Sequence, residues 1–127
     1  MKKITPVLMV EEIEPVLPFW VGLLGFEKTV EVPHGERLGF VILVKDGLEI
    51  MYQSVASVRD DVPEMAAVAP ATSFLFIEVE DLNAVAAALE GVTPVVPRRT
   101  TFYGADELIV REPGGNVVTF AQFADAQ

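Results

Sequence analysis

The chain spells out one order of elements twice, and that duplication constrains its fold more than any single motif. A strand pattern over 4–10 leads into a helix pattern whose apolar positions Val16, Phe19, Trp20, Leu23 and Leu24 recur at helical spacing, until Gly25 stops it. Glu11, Glu12 and Glu14 suit the positive end of that helix. Pro15 is tolerated in a first turn, whereas Pro18 implies a later start or a kink. Three strands are predicted next, over 26–32, 37–44 and 48–53, joined by the turns Pro33-His34-Gly35 and Lys45-Asp46-Gly47. His34, the single histidine, reads as a solvated turn residue with no adjacent partner. The stretch 54–70 is the least regular, with a short helix expected over 60–68 and a stop at Pro70. Then the order returns: a strand over 72–79, a helix over 82–90 closed by Gly91, and strands over 95–101, 107–111 and 117–123.

Gly25 and Gly91 lie 66 residues apart, and Val10 and Val79 lie 69 apart. Two copies at so long a period indicate a duplicated module, not a solenoid. Each copy covers one sheet face with its helix and leaves the other face open. The expected architecture is therefore α+β: two βαβββ modules pairing into a curved mixed sheet, helices outside and a concave cup within. Residues 1–127 form one domain, with module one at about 1–53, a connector at about 54–70 and module two at about 71–127. The hairpins of the two modules also match. Glu112-Pro113-Gly114-Gly115-Asn116 turns one β-run into another, as Lys45-Asp46-Gly47 does, and places Glu49 and Thr119 at corresponding points 70 residues apart.

Composition narrows the function classes. The 127 residues suffice for one real core, and 51% of them are hydrophobic, which excludes disorder. No apolar run approaches the roughly 20 residues of a membrane span. The N-terminal residues do not resemble a signal peptide. With no cysteine there is no disulfide framework, thiolate nucleophile or cysteine metal site, and a cytoplasmic location is the economical expectation. A net charge of −10 disfavours nucleic-acid partners, which clustered Lys and Arg would bind.

The sequence resembles the vicinal oxygen chelate superfamily, which contains glyoxalase I, extradiol dioxygenases and bleomycin-resistance proteins. The resemblance rests on Ile4-Thr5-Pro6-Val7-Leu8-Met9-Val10, Phe19-Trp20-Val21-Gly22-Leu23-Leu24-Gly25-Phe26, Gly47-Leu48-Glu49-Ile50 and Glu112-Pro113-Gly114-Gly115-Asn116-Val117-Val118-Thr119-Phe120. It implies paired βαβββ modules and a homodimer that completes two pockets. Metal-dependent members supply His, Glu or Gln from four inward positions, on the first and last strands of each module. Here those positions fall on Pro6, Glu49, Phe74 and Thr119, of which only Glu49 carries a family-type donor. A catalytic divalent site needs about three protein donors. The expectation is accordingly no metal and no cofactor.

Strand alternation then predicts the lining of the cup. Glu49, Met51 and Gln53 share one face, Phe74 and Phe76 another, and Thr119 joins them with Pro6 and Leu8. Tyr52, Phe102 and Tyr103 are candidate stacking groups at the rim. Glu49 requires a partner among apolar neighbours: one of Arg37, Arg98, Arg99 or Arg111, or a ligand, or a proton if it serves as a catalytic base with a raised pKa. The leading expectation is a metal-free binder that sequesters a small hydrophobic or aromatic compound in a dimer cup. The alternatives are a metal-independent isomerase or lyase using Glu49 as base, a metal-dependent glyoxalase- or dioxygenase-like enzyme with an atypical site, and an interaction module whose cup is only packing.

Overall fold

The duplicated order of elements appears as two four-stranded mixed sheets in a computed structural model that describes residues 1–68 and 72–124. The chain divides into two compact units, Met1–Ala71 and Thr72–Gln127, the first taking in the stretch expected as a connector. The fold is α+β. The expected helix stop at Pro70 lies outside the described residues.

Module one contains β1 (Val7–Val10), β2 (Glu27–His34), β3 (Arg37–Lys45) and β4 (Leu48–Ser54) in the spatial order β1-β4-β3-β2. β1 runs parallel to β4, and the other pairs are antiparallel. The two-residue turn between β3 and β4 places Asp46 and Gly47 at φ 52° and 78°, the left-handed pair that a tight hairpin needs. The connector is more regular than expected. α1 (Val55–Asp61) begins one residue after β4, its first turn capped by the Ser54 hydroxyl, which accepts from the Ser57 N–H at 3.2 Å; α2 (Pro63–Ala67) follows.

The segment between β1 and β2 departs from the sequence expectation. A single α-helix was expected, and the chain instead makes a 3₁₀ turn, Glu14–Val16, and then a π-helical turn, Pro18–Leu23. Prolines cause the break. Pro15 and Pro18 each lack an N–H, so an i→i−4 ladder cannot run through both. The wider turn closes with Leu24 N–H donating to Phe19 O at 3.2 Å, a five-residue step. It also rotates the expected apolar stripe: Val16, Phe19, Trp20 and Leu24 are buried, while Leu23 is turned to solvent.

That stripe packs on one sheet face only. Leu8, Val10, Val41, Leu43, Ile50 and Tyr52 are buried on it. Trp20 sits at the centre, edge-on to Phe19 and Phe26 with ring centroids 5.1 and 5.0 Å away. Its Nε1–H donates to the Tyr52 hydroxyl at 2.8 Å, joining the helical segment to β4.

Module two repeats the order with β5 (Phe74–Glu78), α3 (Leu82–Ala88), β6 (Pro94–Thr100), β7 (Ala105–Arg111) and β8 (Val117–Phe123), arranged β5-β8-β7-β6. Leu82 and Leu89 of the helical segment are buried, as are Val110, Val118 and Phe120 of the sheet. Gln122 points to the same side, where its Oε1 accepts the Leu82 N–H at 2.8 Å. The β7–β8 turn is held internally. Glu112 Oε1 accepts the Asn116 N–H at 2.7 Å, and Asn116 Oδ1 accepts the Ser73 N–H at 2.9 Å, tying the hairpin to the start of β5.

The buried indole sets the first prediction. Trp20→Ala should destabilise the protein by about 3–5 kcal/mol through lost transfer energy and a cavity. Tyr52→Phe should cost about 1–3 kcal/mol, because the buried indole N–H loses its acceptor. Urea unfolding followed by circular dichroism measures both, and a change below about 0.5 kcal/mol in either would contradict the packing described.

Candidate functional site

Alternation gives each sheet a second face that its own helical segment does not cover. In module one, β4 places Ile50, Tyr52 and Ser54 against the helical side and leaves Glu49, Met51 and Gln53 half-exposed on the other. Register brings Val44, Ile42 and Phe40 of β3 beside Glu49, Met51 and Gln53. Val7 and Met9 of β1 lie beside Met51 and Gln53.

Two expected lining residues are on the wrong side. Leu8 pairs with Tyr52 in the β1–β4 register and is 4% exposed, within the helix-covered core. Tyr52 is fully buried under Trp20 and cannot stack at a rim. The cause is strand parity. For Leu8, assigning the family position to Pro6 shifts β1 by one residue, and a shift of one sends each side chain to the opposite face. Tyr52 alternates with Glu49, Met51 and Gln53 on β4 and so faces the helical side. On the open side it is Thr5, not Pro6, that reaches Glu49.

Glu49 is paired, but not by an arginine. Its Oε1 accepts from the Lys3 ammonium at 2.9 Å and from the Thr5 hydroxyl at 3.1 Å. The four arginines considered as partners are engaged elsewhere: Arg37 with Glu12, Arg98 with Asn83, Arg99 with Glu107, and Arg111 with the Gly115 carbonyl. The Lys3 hydrogen bond holds the Glu49 carboxyl below its ordinary 4.5, against the opposing effect of burial and with help from Thr5. This direction is opposite to the rise expected of a catalytic base. Gln53 is also tied, donating to the Ser57 hydroxyl at 3.2 Å. His34 ends β2 and has a partner after all, with Nε2 2.6 Å from Asp60 Oδ2.

The residues at the family's metal positions do not fit a divalent ion. Beside Glu49 stand a hydroxyl and an ammonium, and the ammonium repels a cation. Among the described residues no three His, Cys, Asp or Glu side chains gather closely enough to hold a metal. The correspondence of Glu49 with Thr119 also shifts. Val7 faces Met51 in one module and Phe76 faces Thr119 in the other, and Val7 and Phe76 are 69 residues apart, so Thr119 matches Met51.

The open face of module two is aromatic. Phe74 and Phe76 of β5 stand beside Val117 and Thr119 of β8, 80% and 55% exposed respectively. Phe76 begins a run of rings: Phe123 at 6.3 Å, then Tyr103 at 6.1 Å from Phe123, then the fully exposed Phe102 at 5.1 Å from Tyr103. Underneath lies Glu107, a carboxylate only 1% exposed. Arg99 Nε and Nη2 donate to its Oε1 at 3.2 and 3.0 Å, and the Tyr103 hydroxyl donates to its Oε2. The burial cost of the charge is thus offset by three donors. One of them fixes the ring of Tyr103 over the sheet.

Glu107 and Phe123 escaped the sequence reading, and Arg99 entered it only as a candidate partner of Glu49. The signal was present: counting back from Thr119 through the five-residue turn 112–116 places Ile109 opposite Thr119 and Glu107 opposite Ala121. Register through a turn of that length is not fixed by pattern alone.

Comparison with known proteins agrees with this geometry. The family model described as Glyoxalase/Bleomycin resistance protein/Dioxygenase superfamily matches residues 4–120. No curated protein matches the chain. Among solved structures, a bleomycin-binding protein from bleomycin-producing Streptomyces verticillus, complexed with copper(II)-bleomycin, is 23% identical with a TM-score of 0.65, over 98% of each chain. Lactoylglutathione lyase from Agrobacterium tumefaciens is 14% identical with a TM-score of 0.75, over 96% of this chain and 94% of that one. A glyoxalase/bleomycin resistance protein/dioxygenase from Nocardioides is 15% identical with a TM-score of 0.73, over 97% and 83%. At these identities the likeness shows the fold.

The Lys3–Glu49 pair has a definite pH signature. Its folded-state pKa lies below the unfolded value, so the stability it contributes is complete above pH 4.5 and is lost as pH falls through the folded value. Titration of the Glu49 side-chain carboxyl by ¹³C NMR should give a midpoint under 4.5 that rises in Lys3→Ala. A midpoint above 4.5 would contradict the pairing and restore a base.

Proposed function

Because this chain belongs to the Glyoxalase/Bleomycin resistance protein/Dioxygenase superfamily, we propose that it is a metal-free binding protein that sequesters a small hydrophobic or aromatic compound, working as a homodimer. The observation that carries this reading is the run of exposed rings Phe76, Phe123, Tyr103 and Phe102 on one sheet face, with Phe74 beside it. Such a concentration of apolar surface marks an interaction site. Planar compounds stack on it with the offset or edge-on geometry that aromatic pairs prefer.

Glu107 gives the surface its order. Without the carboxylate, Tyr103 would lose the anchor that holds its ring, and the ligand would bear the entropic cost of arranging it. Thr119 supplies a hydroxyl within the apolar field, one of the few polar groups such a site uses to orient a ligand. On module one, Met51 and its neighbours offer an adaptable apolar surface with Glu49 already neutralised by Lys3. Support also comes from the bleomycin-binding neighbour, a chain of this fold that binds an organic compound.

Thermal-shift titration tests the proposal, since a compound that binds only the folded state raises the melting temperature. Planar aromatic compounds should raise it in the presence of EDTA, whereas divalent metals alone should not. Phe76→Ala and Tyr103→Ala should each weaken binding by about 0.5–1.5 kcal/mol. Glu107→Gln should weaken it while leaving Phe76 in place. Stabilisation by a divalent metal that disappears in Glu49→Ala would contradict the metal-free reading.

A further inference from the structure

The aromatic face of module two carries a charge that the stacking run leaves unused. Alternation along β5 sends Phe74, Phe76 and Glu78 to one side, and all three are exposed. Glu78 stands opposite Ala121 of β8, and Ala121 stands opposite Glu107 of β7. Two carboxylates therefore share one cross-strand row, with an alanine between them. The rings close on this row from both sides. Phe76 lies opposite Thr119, and Phe123 is four residues further along β8, yet their ring centroids are only 6.3 Å apart. Four residues of strand span about 13 Å, so the two rings lean toward each other across the row that holds Glu78.

The two carboxylates are answered unequally. Glu107 is buried, and Arg99 neutralises its charge while Tyr103 adds a third donor. Glu78 is open to solvent and makes no hydrogen bond or ion pair among the described residues. The remaining charge on the strands of this face is Arg111, in the row of Val117 and Phe74. It donates to the Gly115 carbonyl within the β7–β8 turn. That row is four residues, about 13 Å, from the Glu78 row, which exceeds the screening length of about 8 Å at physiological salt. The field over Phe76 and Phe123 is accordingly negative.

We propose that the stacking surface selects aromatic cations, and that Glu78 is the residue that reads the positive charge. The inference rests on the stacking reading above and names its class of ligand. An aromatic cation gains twice at this place. Its charge is attracted to the electron-rich faces of Phe76 and Phe123, and also to the unpaired carboxylate beside them. A neutral compound of the same shape gains only the stacking, and an anion is repelled. The net charge of −10 draws cations to the whole molecule, so the contribution of Glu78 must be told apart from that general attraction.

Three quinoline probes of similar size make the test: N-methylquinolinium, neutral 4-methylquinoline and anionic quinoline-4-carboxylate. Each is titrated by calorimetry at mildly alkaline pH with EDTA present. N-methylquinolinium should bind about fivefold or more tighter than 4-methylquinoline, and added salt should narrow that gap. Glu78→Gln should weaken the cation about threefold or more and leave 4-methylquinoline unchanged. Glu90→Gln removes the same charge from outside the sheet and should change neither. Both glutamates are exposed, so both variants keep the fold. The inference is overturned if the neutral or anionic probe binds as tightly as the cation. It is equally overturned by a preference undiminished in Glu78→Gln, or by an equal loss in Glu90→Gln. Each of those results leaves the stacking surface standing. If none of the three probes binds, the surface and its selectivity fall together.

Discussion

A β-sheet has two faces, and each module of this chain brings enough helix to cover only one. The rest of the structure depends on that imbalance. In module one the Trp20 indole, donated to the Tyr52 hydroxyl, clamps the helical segment onto the face carrying Leu8, Val41, Leu43 and Ile50. In module two α3 covers Val110, Val118 and Phe120, with Gln122 accepting its first N–H. The remaining face of each sheet keeps apolar side chains that its own module's helix does not cover, and those faces hold the residues from which a function can be built.

Three carboxylates in this molecule meet three environments, and the differences decide their roles. Glu49 is met by an exposed ammonium and a hydroxyl, which lower its carboxyl from the ordinary value. Glu107 is buried and answered by a forked arginine and a phenol, so it works as an anchor for the Tyr103 ring. Glu14 accepts the Leu38 N–H on Oε2, which ties the 3₁₀ turn to the start of β3. None of the three gathers with other ligand-type side chains into a set able to hold a divalent ion, among the described residues.

The duplicated order of elements was legible because it depends on coarse signals: apolar period, helix-ending glycines and hairpin turns. Those signals survive in a single sequence, and the strands fall within a few residues of their expected places. The π-helical turn was less legible, since Pro15 and Pro18 announced a disturbance but not its form. Faces were the weakest part. Leu8 was expected on the open side because β1 is anchored one residue late at Pro6, and period-two structure turns such an error into a complete inversion. Tyr52 was expected at the rim although Glu49, Met51 and Gln53 on the open side put it on the other. Glu107 was passed over because its side depends on register across the turn 112–116, which the bonds of Glu112 and Asn116 fix. Phe74, Phe76 and Thr119, whose alternation was counted from the correct end, do stand on the open face.

The most direct measurement is intermolecular nuclear Overhauser contact between a planar aromatic ligand and the rings of this protein, recorded with and without EDTA. The account predicts contacts to Phe76, Phe123 and Tyr103 that chelation does not change. Contacts confined to other residues, or contacts that vanish when divalent metal is removed, would contradict it.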